Sequence, residues 1–143
     1  MDQLIRRETD YALRALVYMA TRPSGTRVTS ADLAAAEDVP PDFLQKLLRK
    51  CARAGLLKAH RGAQGGFSLA RAPREITVLH VVEAVQGPVT FSKCLLGRDT
   101  CPRSSACPLR GRWEALGEEV SRFMMGTTLE DLAKEVRQLQ HKE

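Results

Sequence analysis

Residues 40–71 read PPDFLQKLLRKCARAGLLKAHRGAQGGFSLAR, and the period of the apolar residues changes partway through. Pro40 and Pro41 cannot sit inside a helix but suit its first turn, so a helix starts there. Leu44, Leu47, Leu48 and Cys51 then recur at i, i+3, i+4 and i+7 on one face, while Gln45, Lys46, Arg49, Lys50 and Arg53 occupy the other. Gly55 is placed to close the helix in the left-handed conformation. Beyond it the period falls to two. Leu57 and Ala59, then Phe67 and Leu69, alternate with polar residues around RGAQGG at 61–66. That pattern predicts a β-hairpin with a long cationic tip.

On the amino-terminal side, VTSADLAAAEDVP (28–40) predicts a short Ala-rich helix capped by Thr29 or Ser30 and running to about Glu37. Residues 10–20, DYALRALVYMA, are apolar nearly all round, with Arg14 the only interior charge. They predict a buried helix closed by Pro23 and Gly25. Two helices joined by a tight turn, the second basic-faced, followed by a hairpin, spell a winged helix-turn-helix.

On the carboxy-terminal side, Thr77 can cap a helix through VLHVVEAVQ, ended by Gly87-Pro88. Leu109, Trp113, Leu116, Val120 and Phe123 follow a spacing of 4, 3, 4, 3, a heptad seam fit for a helix paired with a partner. Gly126 ends it, and Thr127 or Thr128 with Glu130 or Asp131 offers a capping box for a last helix. The fold class expected is mainly α with a small β-hairpin wing (α+β): a winged helix-turn-helix with a long C-terminal dimerisation helix. Its segments are a DNA-binding domain at 1–75, a linking helix and cysteine loop at 76–108, and dimerisation and final helices at 109–143.

A chain of 143 residues with 43% hydrophobic residues can build its core without disulfide staples. No apolar run approaches the ~20 residues a membrane helix needs, and the start MDQLIRRETD lacks signal-peptide features. A cytoplasmic protein with no membrane partner is expected. The net charge of +5 favours an anionic partner such as double-stranded DNA. Gln45 and Lys46 stand where a recognition helix meets base edges, and Arg49 and Lys50 one turn on can meet phosphates. Thr29 adds a helix-start contact, and Arg61 and Gln64 arm the hairpin tip for the minor groove. Asp42 would cap the helix or accept from a cytosine amino group.

Three of the four cysteines fall in CLLGRDTCPRSSACP, spaced Cys94-x6-Cys101-x5-Cys107. Paired Cys-x(2–4)-Cys zinc spacing and Cys-x-x-Cys redox spacing are both missing. Loop-like spacings suit three thiolates wrapped round an iron–sulfur cluster, of 2Fe–2S or 4Fe–4S type. Zinc, or reduced thiols without metal, are the alternatives. The residues leave the fourth ligand open among Asp99, Ser104, Ser105, Asp10, Glu8, His60 and His80. Cys51, on an apolar stripe, reads as core, and His80 as a packing residue. Neither a Ser-His-Asp order nor a phosphate-cradling loop is present, so an enzyme is not expected.

Taken together, TDYALRALVYMA, LAAAEDVPPDFLQKLLRKCARAGLL, RGAQGGFSLAR, EITVLHVVEAVQGP and the cysteine loop resemble the Rrf2 family of bacterial transcriptional regulators, in its cluster-binding IscR-like and NsrR-like branch. The resemblance implies a homodimer on near-palindromic DNA, joined through the helix carrying Leu109, Trp113, Leu116, Val120 and Phe123. It also implies a cluster held by Cys94, Cys101 and Cys107. The first cysteine gap holds six residues where the common pattern has five, and the IscR-like histidine position is Arg110. The NsrR-like carboxylate, supplied by the other subunit, corresponds to Asp10, with Glu8 as alternate; an N-cap role is the structural alternative for Asp10. The function implied is a regulator, expected to be a repressor, whose operator affinity follows a cluster sensing nitric oxide, oxygen or redox state, or cluster supply. A zinc-stabilised interaction module and a metal-free, thiol-redox-switched repressor are the other readings.

Overall fold

The computed structural model describes residues 4–63, 65–89 and 106–143. Among these residues the order is α1 (Arg7–Ala20), α2 (Ser30–Glu37), α3 (Pro41–Arg53), β1 (Leu57–His60), β2 (Gly66–Leu69), α4 (Val78–Gln86), α5 (Arg110–Gly126) and α6 (Leu129–His141), with one 3-10 turn at Pro73–Glu75. The strands pair antiparallel, Leu57 opposite Leu69 and His60 opposite Gly66. This is the winged helix-turn-helix that the change of period predicts.

Local chemistry explains most of the boundaries. Thr29, Thr77 and Thr128 each accept the backbone N–H three residues on, and the side chains of Asp32, His80 and Asp131 accept the threonine's own N–H. These three capping boxes fix the starts of α2, α4 and α6. His80 fills its box through Nδ1, 3.0 Å from the Thr77 amide, which requires its proton on Nε2. At the end of α3, Gly55 lies at φ 82°. The Leu56 amide donates to Cys51 O and the Gly55 amide to Ala52 O, the paired bonds of a Schellman stop.

Two expectations are corrected. α1 starts at Arg7 rather than at residue 10, so Asp10 lies inside the first turn and is not the N-cap; Arg6 holds that position without a side-chain cap. Asp42 likewise lies in the first turn of α3, whose N-cap, Pro40, has no side-chain acceptor.

The main core joins Leu16 of α1, Leu33 of α2, Leu44, Leu47, Leu48 and Cys51 of α3, Val81 and Val85 of α4, and Leu129 and Ala133 of α6. Burying each such aliphatic side chain contributes roughly 1.5–3 kcal/mol. A smaller cluster of Val78, Val82 and Met124, with Val120 against it, seats α5 on α4. The hairpin is tied back to the body by Val28, whose N–H and C=O both bond Phe67 at 2.8 Å. Gly66 permits that approach: a Cβ there would stand 2.7 Å from Val28 O.

Candidate nucleic-acid interface and cysteine segment

The polar face of α3 and the hairpin enclose a cleft of about 490 Å³. Thr29 and Ser30 enter it from the start of α2, Gln45, Arg49 and Arg53 from α3, and His60 and Arg61 from the hairpin. Among the described residues, its lining includes three arginines and no carboxylate. At the start of α2 the Asp32 carboxylate of the capping box offsets the helix's positive end, so the field comes from the arginines. Such a surface attracts phosphates and presents an amide side chain and guanidinium groups in fixed relation to them.

The structure therefore gathers Thr29, Gln45, Arg49 and Arg61. Lys46 is exposed outside the cleft lining. Lys50 turns aside, its Nζ 3.5 Å from Val85 O at the end of α4. Gln64 lies outside the described residues. Sequence reading left Ser30, Arg53 and His60 out of this set. Arg53 was legible one turn beyond Arg49; His60 was not, because its placement depends on hairpin register and on Ser68 Oγ, 2.8 Å from its Nε2.

Of the three clustered cysteines, Cys107 is described; Cys94 and Cys101 lie outside the described residues. Cys107 is half-buried and free, and its carbonyl accepts the Arg110 amide at 3.2 Å where α5 begins. A half-exposed thiol at this place fits metal ligation or redox chemistry. Cys51 is the opposite case. It is fully buried, and desolvation pushes its thiol up to about 12, with Lys50 opposing the rise.

Asp10 and Glu8 sit on the first turn of α1. Asp10 Oδ2 lies 3.0 Å from Arg14 Nε, and Glu8 Oε1 is 3.7 Å from Arg6 Nη1. Both carboxylates are partly exposed and reachable from outside the chain. Among the described residues, no three His, Cys, Asp or Glu side chains converge as a metal site. A site using these donors needs Cys94 and Cys101 as well.

α5 presents an apolar stripe outward. Leu109, Leu116 and Phe123 are 47%, 43% and 57% exposed. Trp113 is half-buried, and Val120 turns inward onto Val78, Val82 and Met124. The heptad residues thus divide between a contact within the chain and an uncovered face.

Residues 5–135 match the model of a family described as Rrf2, iron-dependent transcriptional regulator. The chain is 36% identical over 126 residues to an HTH-type transcriptional regulator of Mycobacterium tuberculosis, covering 88% of this chain and 78% of that protein. It is 31% identical over 122 residues to the HTH-type transcriptional regulator IscR of Aliivibrio salmonicida, covering 85% and 72%. Among solved structures it is similar to CymR, the global cysteine regulator of B. subtilis, with TM-score 0.76 and 26% identity over 94% of this chain and 98% of that one. It is also similar to T. potens IscR, with TM-score 0.73 and 26% identity over 95% and 90%.

Proposed function

This chain belongs to the Rrf2 family of winged-helix transcriptional regulators, and from that premise we propose that it is a homodimeric repressor whose operator affinity is set by an iron–sulfur cluster. The observation that carries the DNA contact is the cleft without carboxylates, with Gln45 and Arg49 above the start of α2 and Arg61 on the wing. Gln45 and Lys46 read base edges, Arg49 and Arg53 hold phosphates, Thr29 contacts the backbone, and Arg61 with Gln64 enters the minor groove. Lys50 contributes charge from the flank. A second copy covers Leu109, Trp113, Leu116 and Phe123 of α5, with Val120 bracing the helix from inside. This places two recognition helices on a near-palindromic site.

Cys94, Cys101 and Cys107 hold the cluster, and Asp10 of the second copy, or Glu8 in its place, supplies the fourth ligand. When bound, the cluster supplies a redox- and nitric oxide-sensitive centre with one oxygen-ligated corner. The chain's own part is to place a carboxylate on the rigid first turn of α1, where it reports on the spacing of the two subunits. A second reading, reversible oxidation of the same thiols without metal, draws on the likeness to the cysteine regulator and on the half-exposed thiol of Cys107.

Anaerobic purification followed by iron and sulfide analysis per chain separates the two. Matched iron and sulfide, lost in a Cys107→Ser variant, support the cluster. A chain without metal after reconstitution, whose operator binding follows thiol oxidation, overturns it in favour of the second reading.

A further inference from the structure

α1 is capped from the far end of α4. Its N-cap is Arg6, which offers no side-chain acceptor, whereas α2, α4 and α6 each carry a complete local capping box. The acceptor that a capping-box side chain would give the N-cap amide comes instead from Gln86, the last residue of α4. Its Oε1 accepts the Arg6 amide at 3.2 Å and the Thr9 hydroxyl at 2.6 Å, while its Nε2 donates to Leu4 O at 2.9 Å. Thr9 is the third residue of α1, the position from which a capping-box side chain reaches back to the N-cap amide. Here Thr9, which is fully buried, and that amide share one remote oxygen instead.

The residues held by this arrangement are the ones that matter for ligation. Arg6 to Asp10 form the turn carrying Glu8 and Asp10. Gln86 is followed by Gly87-Pro88, the entry to the chain leading to Cys94. The neighbouring Val85 carbonyl is the acceptor for Lys50 of the recognition helix. One helix end thus touches the start of α1, the flank of α3 and the beginning of the cysteine segment.

We propose that Gln86 is a positioning residue: from the end of α4 it fixes the first turn of α1, and with it Glu8 and Asp10. This deepens the cluster reading and rests on it for the ligand role, but not for the capping itself.

The test compares full-length wild type, Gln86→Ala and Gln86→Glu. Glutamate can keep the two acceptor bonds, while its second oxygen replaces the donor facing Leu4 O and turns that contact repulsive, so the disturbance falls on residue 4 ahead of the helix. In the reduced, metal-free chain, hydrogen exchange at the Arg6, Thr9 and Asp10 amides should speed up about fivefold in the alanine variant and stay near wild type in the glutamate variant. The ratio of operator affinities between the iron–sulfur-reconstituted and metal-free chains should fall toward one with alanine and recover with glutamate, while metal-free affinity stays within about twofold. A purely structural residue would lower both affinities together. Should Gln86→Ala fail to fold, Thr9→Val removes one of the two acceptor bonds and should give an intermediate exchange rate. Unchanged exchange in the alanine variant overturns the proposal, as does faster exchange with an unaltered affinity ratio. A wild-type ratio of one would instead sink the cluster reading, and the exchange measurement would still decide the cap.

Discussion

Helices α3 and α5 are both amphipathic, yet their apolar residues meet different things. α3 spans 13 residues and buries Leu44, Leu47, Leu48 and Cys51 against its own chain. α5 spans 17 and buries only Gly117 and Met124. The first helix is complete once the winged domain closes. The second has its stripe half used, with Val120 inward and Leu116 and Phe123 in solvent. A pattern in sequence reports that a face must be covered; it does not say by which chain.

The sharpest way to break this contrast is to hollow each helix in turn. Leu48→Ala should cost about 2–5 kcal/mol of unfolding free energy, because a packed site collapses only partly around the void. Urea denaturation reads it directly. Leu116→Ser with Phe123→Ser should leave the urea transition of the single chain nearly unmoved, yet weaken self-association more than tenfold, about 1.4 kcal/mol, in sedimentation equilibrium. If the pair instead unfolds the chain, α5 belongs with α3 and the contrast fails.

Smaller effects refine it. Thr128→Ala removes the cap of α6, which packs on the winged core through Leu129 and Ala133, and should cost about 1 kcal/mol in the same denaturation assay. Smaller still are two carboxylates of opposite sign. Burial holds Glu37 above its ordinary 4.5, with Arg14 opposing and Asp10 reinforcing the rise. The native chain therefore takes this proton more readily. The stability it brings is complete below 4.5 and is lost as pH rises through the raised native value. Asp131 is held below its ordinary 3.8, chiefly by the Thr128 backbone N–H and then its hydroxyl. Its contribution is present above 3.8 and is lost as pH falls through the lowered native value. Glu37→Gln should flatten the urea midpoint between neutral pH and about pH 4, and Asp131→Asn should flatten it below about pH 4.

What could be read from sequence follows the same division. The starts of α2, α4 and α6 were legible because their caps are local: Thr29, Thr77 and Thr128 carry their partners three residues on. The hairpin was legible from its period and glycines. The start of α1 was not, since its cap lies at Gln86, 80 residues from Arg6. Nor was the turning aside of Lys50, which the helix wheel places on the polar face and the Val85 carbonyl draws to one edge. The candidate DNA cleft was legible on its α3 side, where spacing alone aligns Gln45, Arg49 and Arg53, and only partly on the wing. The cysteine spacing named a chemistry from residue types; the fourth ligand proposed above rests on family likeness, because a donor from another subunit would leave no spacing to read.

The caps of α4 and α6 lie side by side. Thr77 and Thr128 form an antiparallel bridge, with the Val78 amide on Thr127 O and the Leu129 amide on Ile76 O, both at 2.9 Å. Between them, α4 packs in the main core and α5 seats on α4, so what lies outside that packing is the connection from Gly87 to Leu109, which carries Cys94, Cys101 and Cys107. For a connection between two held ends, doubling the length costs only about 0.6 kcal/mol in closure entropy. Such a connection can gain or lose a residue, as in the six-residue gap between Cys94 and Cys101, with little penalty to the helices it joins. The winged body and the α4–α5 pair can thus stay fixed while the cysteine-bearing connection between the two helices varies in length and chemistry.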